Sequence, residues 1–467
     1  MLVVLKNFRI IDESTDMRGS VVIEDGIIRD IISDEEDFPD NLLNDKNLER
    51  CILEADRVIE GGEYAEKRGH TLMPAFVDLH AHFRDPGFPE KETLESASLA
   101  AAAGGYGTVV CMANTKPVTD TLEKALALKN RADNLGLIDL YPVLSLTKNM
   151  EGRELSGITA LDAKQNTIRM LSEDGKDVAD DNIFLAAFAE ARRLGIPISC
   201  HCDAGGPEAD AAKKAGKGRD VWSRIEENVA VKRAIELGKK MGAHVHIAHV
   251  STKESVNMIR EAKRQLLTAD ASSSYSLTCE AAPHHIALTE DDAHVLGDES
   301  YGRVNPSLRN EEDRLAVIDA IMDGTIDVIA TDHAPHSESD KAGGAPGFTG
   351  LETGFAVCFT RLTGEGSALE NSNTVDRKTI DLKRLSFLMS ANPARILGIN
   401  DRGRIAVGLR ADLVIADTKT GWTVKPESFK SRGKNSPFKG RTLRGKILLT
   451  LHGGRIVYDE IKGAEHV

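Results

Sequence analysis

Two histidines one residue apart, His80 and His82, close an apolar run that begins at Leu72. On an extended strand the side chains at i and i+2 point the same way, so both imidazoles can bind one ion. Imidazole nitrogen combined with carboxylate oxygen suits zinc and its transition-metal neighbours. Asp332, in the run IATDHAPH, supplies an anionic ligand and leaves room for water or a substrate. His201 and His249 end two further apolar runs and form a candidate pair for a second ion. Asp174 lies between these sets in chain order and is placed to bridge them. Two ions about 3.5–4 Å apart polarise a carbonyl and activate water near neutral pH. The pattern therefore points to metal-assisted hydrolysis, with a single ion and a hydrogen-bonded His201 and His249 as the plainer alternative. Asp332 also has a second use, because a carboxylate beside an activated water can take its proton and pass it to a leaving nitrogen.

Other ligand sources are thinner. Cys200-His201-Cys202 could read as a soft zinc site, but no second cysteine pair at zinc-ribbon spacing completes it. His284 and His285 are read as structural or hydrogen-bonded supports, since six protein ligands already suffice. His333 follows Asp332 directly and is expected on the opposite face of its strand. Asp327, earlier in the same run, is read as structural.

The elements that must position these groups are legible as alternation. Apolar runs at 72–80, 106–113, 139–147, 168–174, 196–202, 244–250, 276–283 and 327–335 are separated by stretches with helical spacing. The clearest helical stretches are TLEKALALKNRADNLG, DNIFLAAFAEARRLG and RIEENVAVKRAIELGKKMG. Near-continuous apolar strands between helices mark a buried parallel sheet. Eight such units without an early glycine-rich dinucleotide fingerprint favour a closed (β/α)8 barrel, whose strand C-termini share one face. The polar residues above sit at those C-termini. Short β segments with polar turns precede residue 74 and recur after 395, which predicts a small β-sandwich built from both termini. The expected division is 1–73 and 396–467 for the sandwich and 74–395 for the barrel.

Composition sets outer limits. The 467 residues exceed the roughly 250 that such a barrel needs. The formal charge of −14, from 59 basic and 73 acidic residues, argues against a nucleic-acid or anionic-membrane partner. The opening MLVVLKNFRIIDESTD lacks the layout of a secretory signal, and no apolar stretch approaches membrane-spanning length. Six scattered cysteines fit reduced, buried thiols and a cytoplasmic location.

Several motifs narrow this further. MPAFVDLHAHFRDPG (73–87), CMANTKPVTD (111–120), EDG (173–175), HIAHVSTKESV (246–256), AAPHHIALTEDD (281–292), VNPSLR (304–309), IATDHAPHS (329–337) and SRGKNSPFKGRTLRGKI (431–447) span nearly the whole chain. Together they resemble the amidohydrolase superfamily and, within it, the long type I dihydroorotases. The resemblance implies a reversible cyclic amide hydrolysis linking N-carbamoyl-L-aspartate to dihydroorotate, with zinc as cofactor, one or two ions per subunit and two favoured. It matches His80, His82 and Asp332 to one ion, His201 and His249 to the other, and Asp174 to the bridging aspartate, where related enzymes use a carboxylated lysine. It places substrate recognition on His82, Arg84, Asn114, Asn305 and His336, with the backbone near Gly347 and Phe348. A substrate carboxylate suits the planar donor fork of Arg84. The resemblance also implies a homo-oligomer and admits a complex with aspartate transcarbamoylase. Rival readings are a hydantoinase- or allantoinase-like cyclic amidase and a non-catalytic paralogue acting as a scaffold. The chain departs from the family at Ala113 (usually proline), Glu173 (usually aspartate), Pro346-Gly347-Phe348 (usually Pro-Phe-Gly) and Cys202-Asp203-Ala204 (usually Cys-Glu-Asp).

Overall fold

The protein is described from a computed structural model covering residues 1–34, 45–61, 70–202, 207–268, 274–366 and 378–461, without the side chains of 45–47, 207–209 and 220. The departure at Asp203 and Ala204 lies outside the described residues.

Strands Phe76–Ala81, Tyr106–Cys111 and Asp139–Pro142 pair in parallel. Leu144–Ser145 continues the third strand past Val143, whose N–H still donates to Cys111 O at 2.8 Å. From there the parallel order runs through Leu171–Ser172, Ile198–Cys200, His244–Ile247 and Ser276–Ala281 to Val328–Ile329. The ring closes where Ala81 bridges His333 in parallel and His82 N–H donates to His333 O at 2.8 Å. Asp78 strengthens this seam by accepting from Thr331 N–H at 2.9 Å and from the Thr331 hydroxyl at 2.5 Å. Eight parallel strands thus form the expected (β/α)8 barrel. Their residues are buried almost throughout, because one face fills the barrel and the other meets helices such as Leu94–Ala103 and Asp181–Leu194.

Local chemistry sets the helix ends. Thr121 caps Leu122–Leu135 and left-handed Gly136 ends it, while Asp180 and Gly195 do the same for Asp181–Leu194. The third expected helical stretch is part of the longer Arg219–Met241. One unit departs from the alternation: between Ser145 and Leu171 the chain makes only two 3-10 turns, Lys148–Met150 and Gly157–Ala160. Asn149 and Met150 both take positive φ there, which no α-helix tolerates.

Both ends of the chain enter one eight-stranded sheet, forming the small β-sandwich domain. His70–Pro74 lies between Leu2–Ile11 on one side and Leu413–Asp417 on the other. Val3, Leu5, Phe8, Leu72, Leu413 and Leu449 belong to its own core. The sheet leads straight into the barrel at Ala75, whose N–H donates to Asp412 O at 2.9 Å.

Candidate active site

The strand C-termini bring His80, His82, Asp174, His201, His249 and Asp332 into one buried cluster. His80, His201 and His249 present ligand atoms within 4.8 Å of one another, and so do His80, His82 and Asp332. His80 therefore belongs to both groups rather than to one. Asp174 lies between the halves, with Oδ2 3.3 Å from His82 Nδ1 and Oδ1 3.0 Å from His201 Nδ1. Asp332 Oδ1 lies 3.4 Å from His80 Nε2 and 3.3 Å from His82 Nε2. Glu173 points elsewhere, accepting from Leu146 N–H at 2.9 Å and Thr147 N–H at 3.1 Å.

Several observations fit a cation in this cluster. His80 Nε2 and His201 Nε2 are buried and make no hydrogen bond, and His201 Nδ1 faces Asp174 Oδ1. Buried polar atoms left in that state are costly, and ligation accounts for them. Burial alone would push the His80 imidazole down, but Asp332, Glu280 and Asp174 outweigh it and hold it up to about 10. Burial likewise works against the Asp332 carboxylate, yet His80, His82 and His249 hold it well below the usual carboxylate range. Burial, with His201 beside it, lowers His249 to about 3, so that ring is neutral and able to ligate. The carboxylates thus favour a positive charge at His80, which an ion would supply in place of the proton, while His249 offers a neutral imidazole and Asp332 an ionised carboxylate.

Arg84, His249 and Asp332 have φ of 57°, 31° and 48°. Left-handed backbone is disfavoured for such side chains and marks positions held by their surroundings.

Beside the cluster lies a cavity of about 190 Å³. Its wall takes His82, Arg84, Asn114, Asn305, His336 and Gly347 together with Asp174, His249 and Asp332. Asn114 joins cavity to cluster, with Oδ1 3.1 Å from His82 Nδ1 and Nδ2 donating to Asp174 Oδ2 at 3.0 Å. Arg84 makes only long contacts, 3.4 Å to Pro335 O and 3.4 Å to His336 Nε2, and has no carboxylate partner among the described residues. His336 Nε2 sits 2.9 Å from Pro346 O, and burial followed by the Arg84 charge lowers its pKa to about 3. Phe348, whose backbone was expected near the substrate, does not line this cavity. Its side chain is buried against His284, with ring centroids 5.5 Å apart, and its carbonyl accepts from Ala334 N–H at 2.7 Å. With the order Pro-Gly-Phe, Gly347 faces the cavity and Phe348 faces the core.

The amidohydrolase family model matches residues 71–457. A dihydroorotase of Clostridium botulinum is 38% identical over 460 residues, covering 98% of this chain and 100% of that protein. A dihydroorotase of Caldanaerobacter subterraneus is 37% identical, with 96% and 99% covered. The chain belongs to the amidohydrolase family, in its dihydroorotase group. Among solved structures, an L-hydantoinase (dihydropyrimidinase) of Arthrobacter aurescens superposes with a TM-score of 0.79 at 26% identity, covering 98% of this chain and 96% of that one. A D-hydantoinase at 20% identity has a TM-score of 0.77 and shares the fold.

Several residues that matter to this amidohydrolase site carry no ligand pattern in the sequence. Glu280 touches both His80 and His246, and its only signal is a lone carboxylate inside the apolar run SLTCEAAP. Asn435, from the KNSPF stretch, accepts from His336 N–H at 3.0 Å and donates to Ala334 O and Gly347 O, each at 3.0 Å. His333 turns away from the cluster toward Glu92, 3.6 Å distant, while His284 Nε2 stands 4.0 Å from Asp332. The Cys200 and Cys202 sulfurs contact the carbonyls of Ile198 and Cys200, not the cluster. Asp139, Asp412 and His452 form another group of potential ligands, but Arg402 and Arg410 already neutralise its carboxylates.

Proposed function

We propose that this amidohydrolase interconverts N-carbamoyl-L-aspartate and (S)-dihydroorotate plus water, the ring-closing step of de novo pyrimidine (UMP) synthesis. The observation that carries the reading is Arg84, a guanidinium without a carboxylate partner among the described residues, in the wall of a cavity that also meets the His/Asp cluster. A ligand carboxylate completes it. Full-length relatedness to dihydroorotases supports the same substrate.

His80, His82, Asp174, His201, His249 and Asp332 are the residues that would hold zinc. The position of Asp174 between His82 and His201 favours two ions over one. When bound, the ions polarise the ring carbonyl and make water acidic enough to react near neutral pH. Asp332, ionised in its surroundings, takes the proton of the attacking water and delivers it to the ring nitrogen as the amide C–N bond breaks. The water oxygen ends in the new carboxylate, and ring closure runs the same transfers backwards. Arg84 and His336 orient the carboxylate that does not react, Asn305 and the Gly347 backbone close the wall, and His82 and Asn114 meet the substrate beside the ions. A cytoplasmic homo-oligomer, alone or joined to aspartate transcarbamoylase, fits this role.

The hydantoinase-like structures favour one second reading, a cyclic amidase for uncharged rings. Against it stand Asp174 in place of a carboxylated lysine and the Arg84 charge, which meets no carboxylate partner among the described residues. The test is ring opening of dihydroorotate, hydantoin and allantoin by zinc-loaded protein, with metal content measured in the same samples. Turnover of dihydroorotate alone is expected. Turnover of another ring transfers the protein to the amidases, and bound metal without any turnover leaves the scaffold reading.

A further inference from the structure

Lys341 lies on the short helix Glu338–Ala342 and is 0% exposed. Its Nζ donates to three backbone carbonyls, Arg303 O at 2.8 Å, Ala345 O at 2.9 Å and Gly347 O at 3.0 Å. Three hydrogens meet three acceptors, and no carboxylate pairs with the ammonium among the described residues. Burying a charge against carbonyl dipoles alone is costly. Burial, and then the nearby Arg303 and Arg219, push its pKa down to about 7. A methionine would fill similar space without that cost, so the ammonium contributes directed donors.

The three carbonyls belong to two segments of the cavity wall. Arg303 is two residues before Asn305, and Ala345 directly precedes Pro346 and Gly347, which line the same cavity. Besides Lys341, Gly347 N–H donating to Arg303 O at 3.0 Å joins these segments. Gly347 itself is held at φ 132°, and a Cβ there would come within 2.6 Å of the Ala334 Cβ. Lys341 Nζ also lies 5.2 Å from the Phe348 ring centroid, and Phe348 packs on His284 next to Asp332. The side chain thus reaches both segments from a position outside the cavity lining.

We propose that Lys341 is a positioning residue that sets the spacing of Asn305 and Gly347 for the substrate, an inference that rests on the dihydroorotase reading. It touches neither substrate nor metal ligands, so its removal acts on binding rather than on metal loading or chemistry. The test compares zinc-loaded wild type, Lys341→Met and Lys341→Gln in dihydroorotate opening, with metal content and thermal midpoint recorded. The expected result for Lys341→Met is a KM about tenfold or more above wild type, with kcat within about threefold and metal content unchanged. Lys341→Gln, which retains two N–H donors, is expected to fall between the two, and it carries the comparison if the methionine variant fails to fold. An unmoved KM in a folded variant, or a loss confined to kcat or metal content, overturns the proposal. A wild type that leaves dihydroorotate intact overturns the functional reading first and this inference with it. An active wild type beside a variant of unchanged KM overturns this inference alone.

Discussion

His80 Nδ1 donates to Glu280 Oε1 at 2.8 Å, and both side chains are buried. A carboxylate without a proton can only accept, so Nδ1 keeps its proton, and Nε2, which faces Asp332, is the nitrogen that would meet an ion once its own proton is displaced. His246 Nε2 holds the other Glu280 oxygen at 3.0 Å, and these two histidines outweigh burial to keep the carboxyl well below the usual range. Glu280→Gln breaks the arrangement without changing volume. It is expected to weaken zinc retention about 10–100-fold, read by metal content across a chelator series. Retention equal to wild type would show that His80 needs no such orientation.

Asp332 carries the proton in the proposed reaction. Asp332→Asn retains size and an oxygen but has no basic carboxylate. Turnover of dihydroorotate is expected to drop about 10²–10⁴-fold, measured on samples whose metal content is known. Full turnover with the metal still bound would remove Asp332 from the chemistry.

In the proposed reaction Arg84 decides between substrates. Its guanidinium lines the cavity with only 3.4 Å contacts, so Arg84→Met removes a charge aimed at the ligand more than a structural bond. For dihydroorotate, kcat/KM is expected to fall by roughly 1.5–3 kcal/mol, the worth of a charged hydrogen-bonding group. Any residual opening of hydantoin, which has no carboxylate, should stay as it was. An equal loss on both rings would argue that Arg84 supports the fold of the site and not its selectivity.

How much of this was legible in the sequence follows from what each residue contacts. Barrel strands buried on both faces are apolar runs in any sequence, and the polar residues ending them have to converge once the strands are parallel. His80, His82 and Asp332 could be paired on that basis. Glu280 could not, because its meaning depends on a histidine 200 residues away in the chain. Lys341 is harder still: within SESDKA it reads as a solvated helix face, and only the fold of the 303–305 and 345–347 segments over it makes it buried. The backbone near Gly347 and Phe348 was expected beside the substrate from the family pattern; with the local order Pro-Gly-Phe, Gly347 lines the cavity and the Phe348 ring packs in the core. The missing helix after the third strand goes with a turn at left-handed Asn149 and Met150, which composition does not announce.

At the other end of the barrel, Asp139 joins the third strand to the chain that leads into the terminal sheet. Arg402 Nη1 and Arg410 Nη1 both contact its Oδ2, and His452 Nε2 lies 3.7 Å from Oδ1. Burial raises the Asp139 pKa, but the two arginines outweigh it and hold the carboxyl at about 2, below its ordinary value of 3.8. A carboxyl depressed on folding adds stability above its unfolded pKa and loses it as pH falls through the folded one. The contribution of Asp139 is therefore complete above about pH 4–5 and fades toward pH 2, amounting to roughly 2 kcal/mol. Asp139→Asn leaves the two arginines with Asp412 and Asp401 as their remaining partners, and at pH 7 the variant is expected to lose about 2 kcal/mol, the contribution of the ionised carboxylate. Denaturant midpoints of wild type and variant, taken at steps from pH 7 to pH 3, should draw together below pH 4. A gap that stays constant over that range would mean that Asp139 acts through packing, with its charge contributing nothing to the join between barrel and sheet.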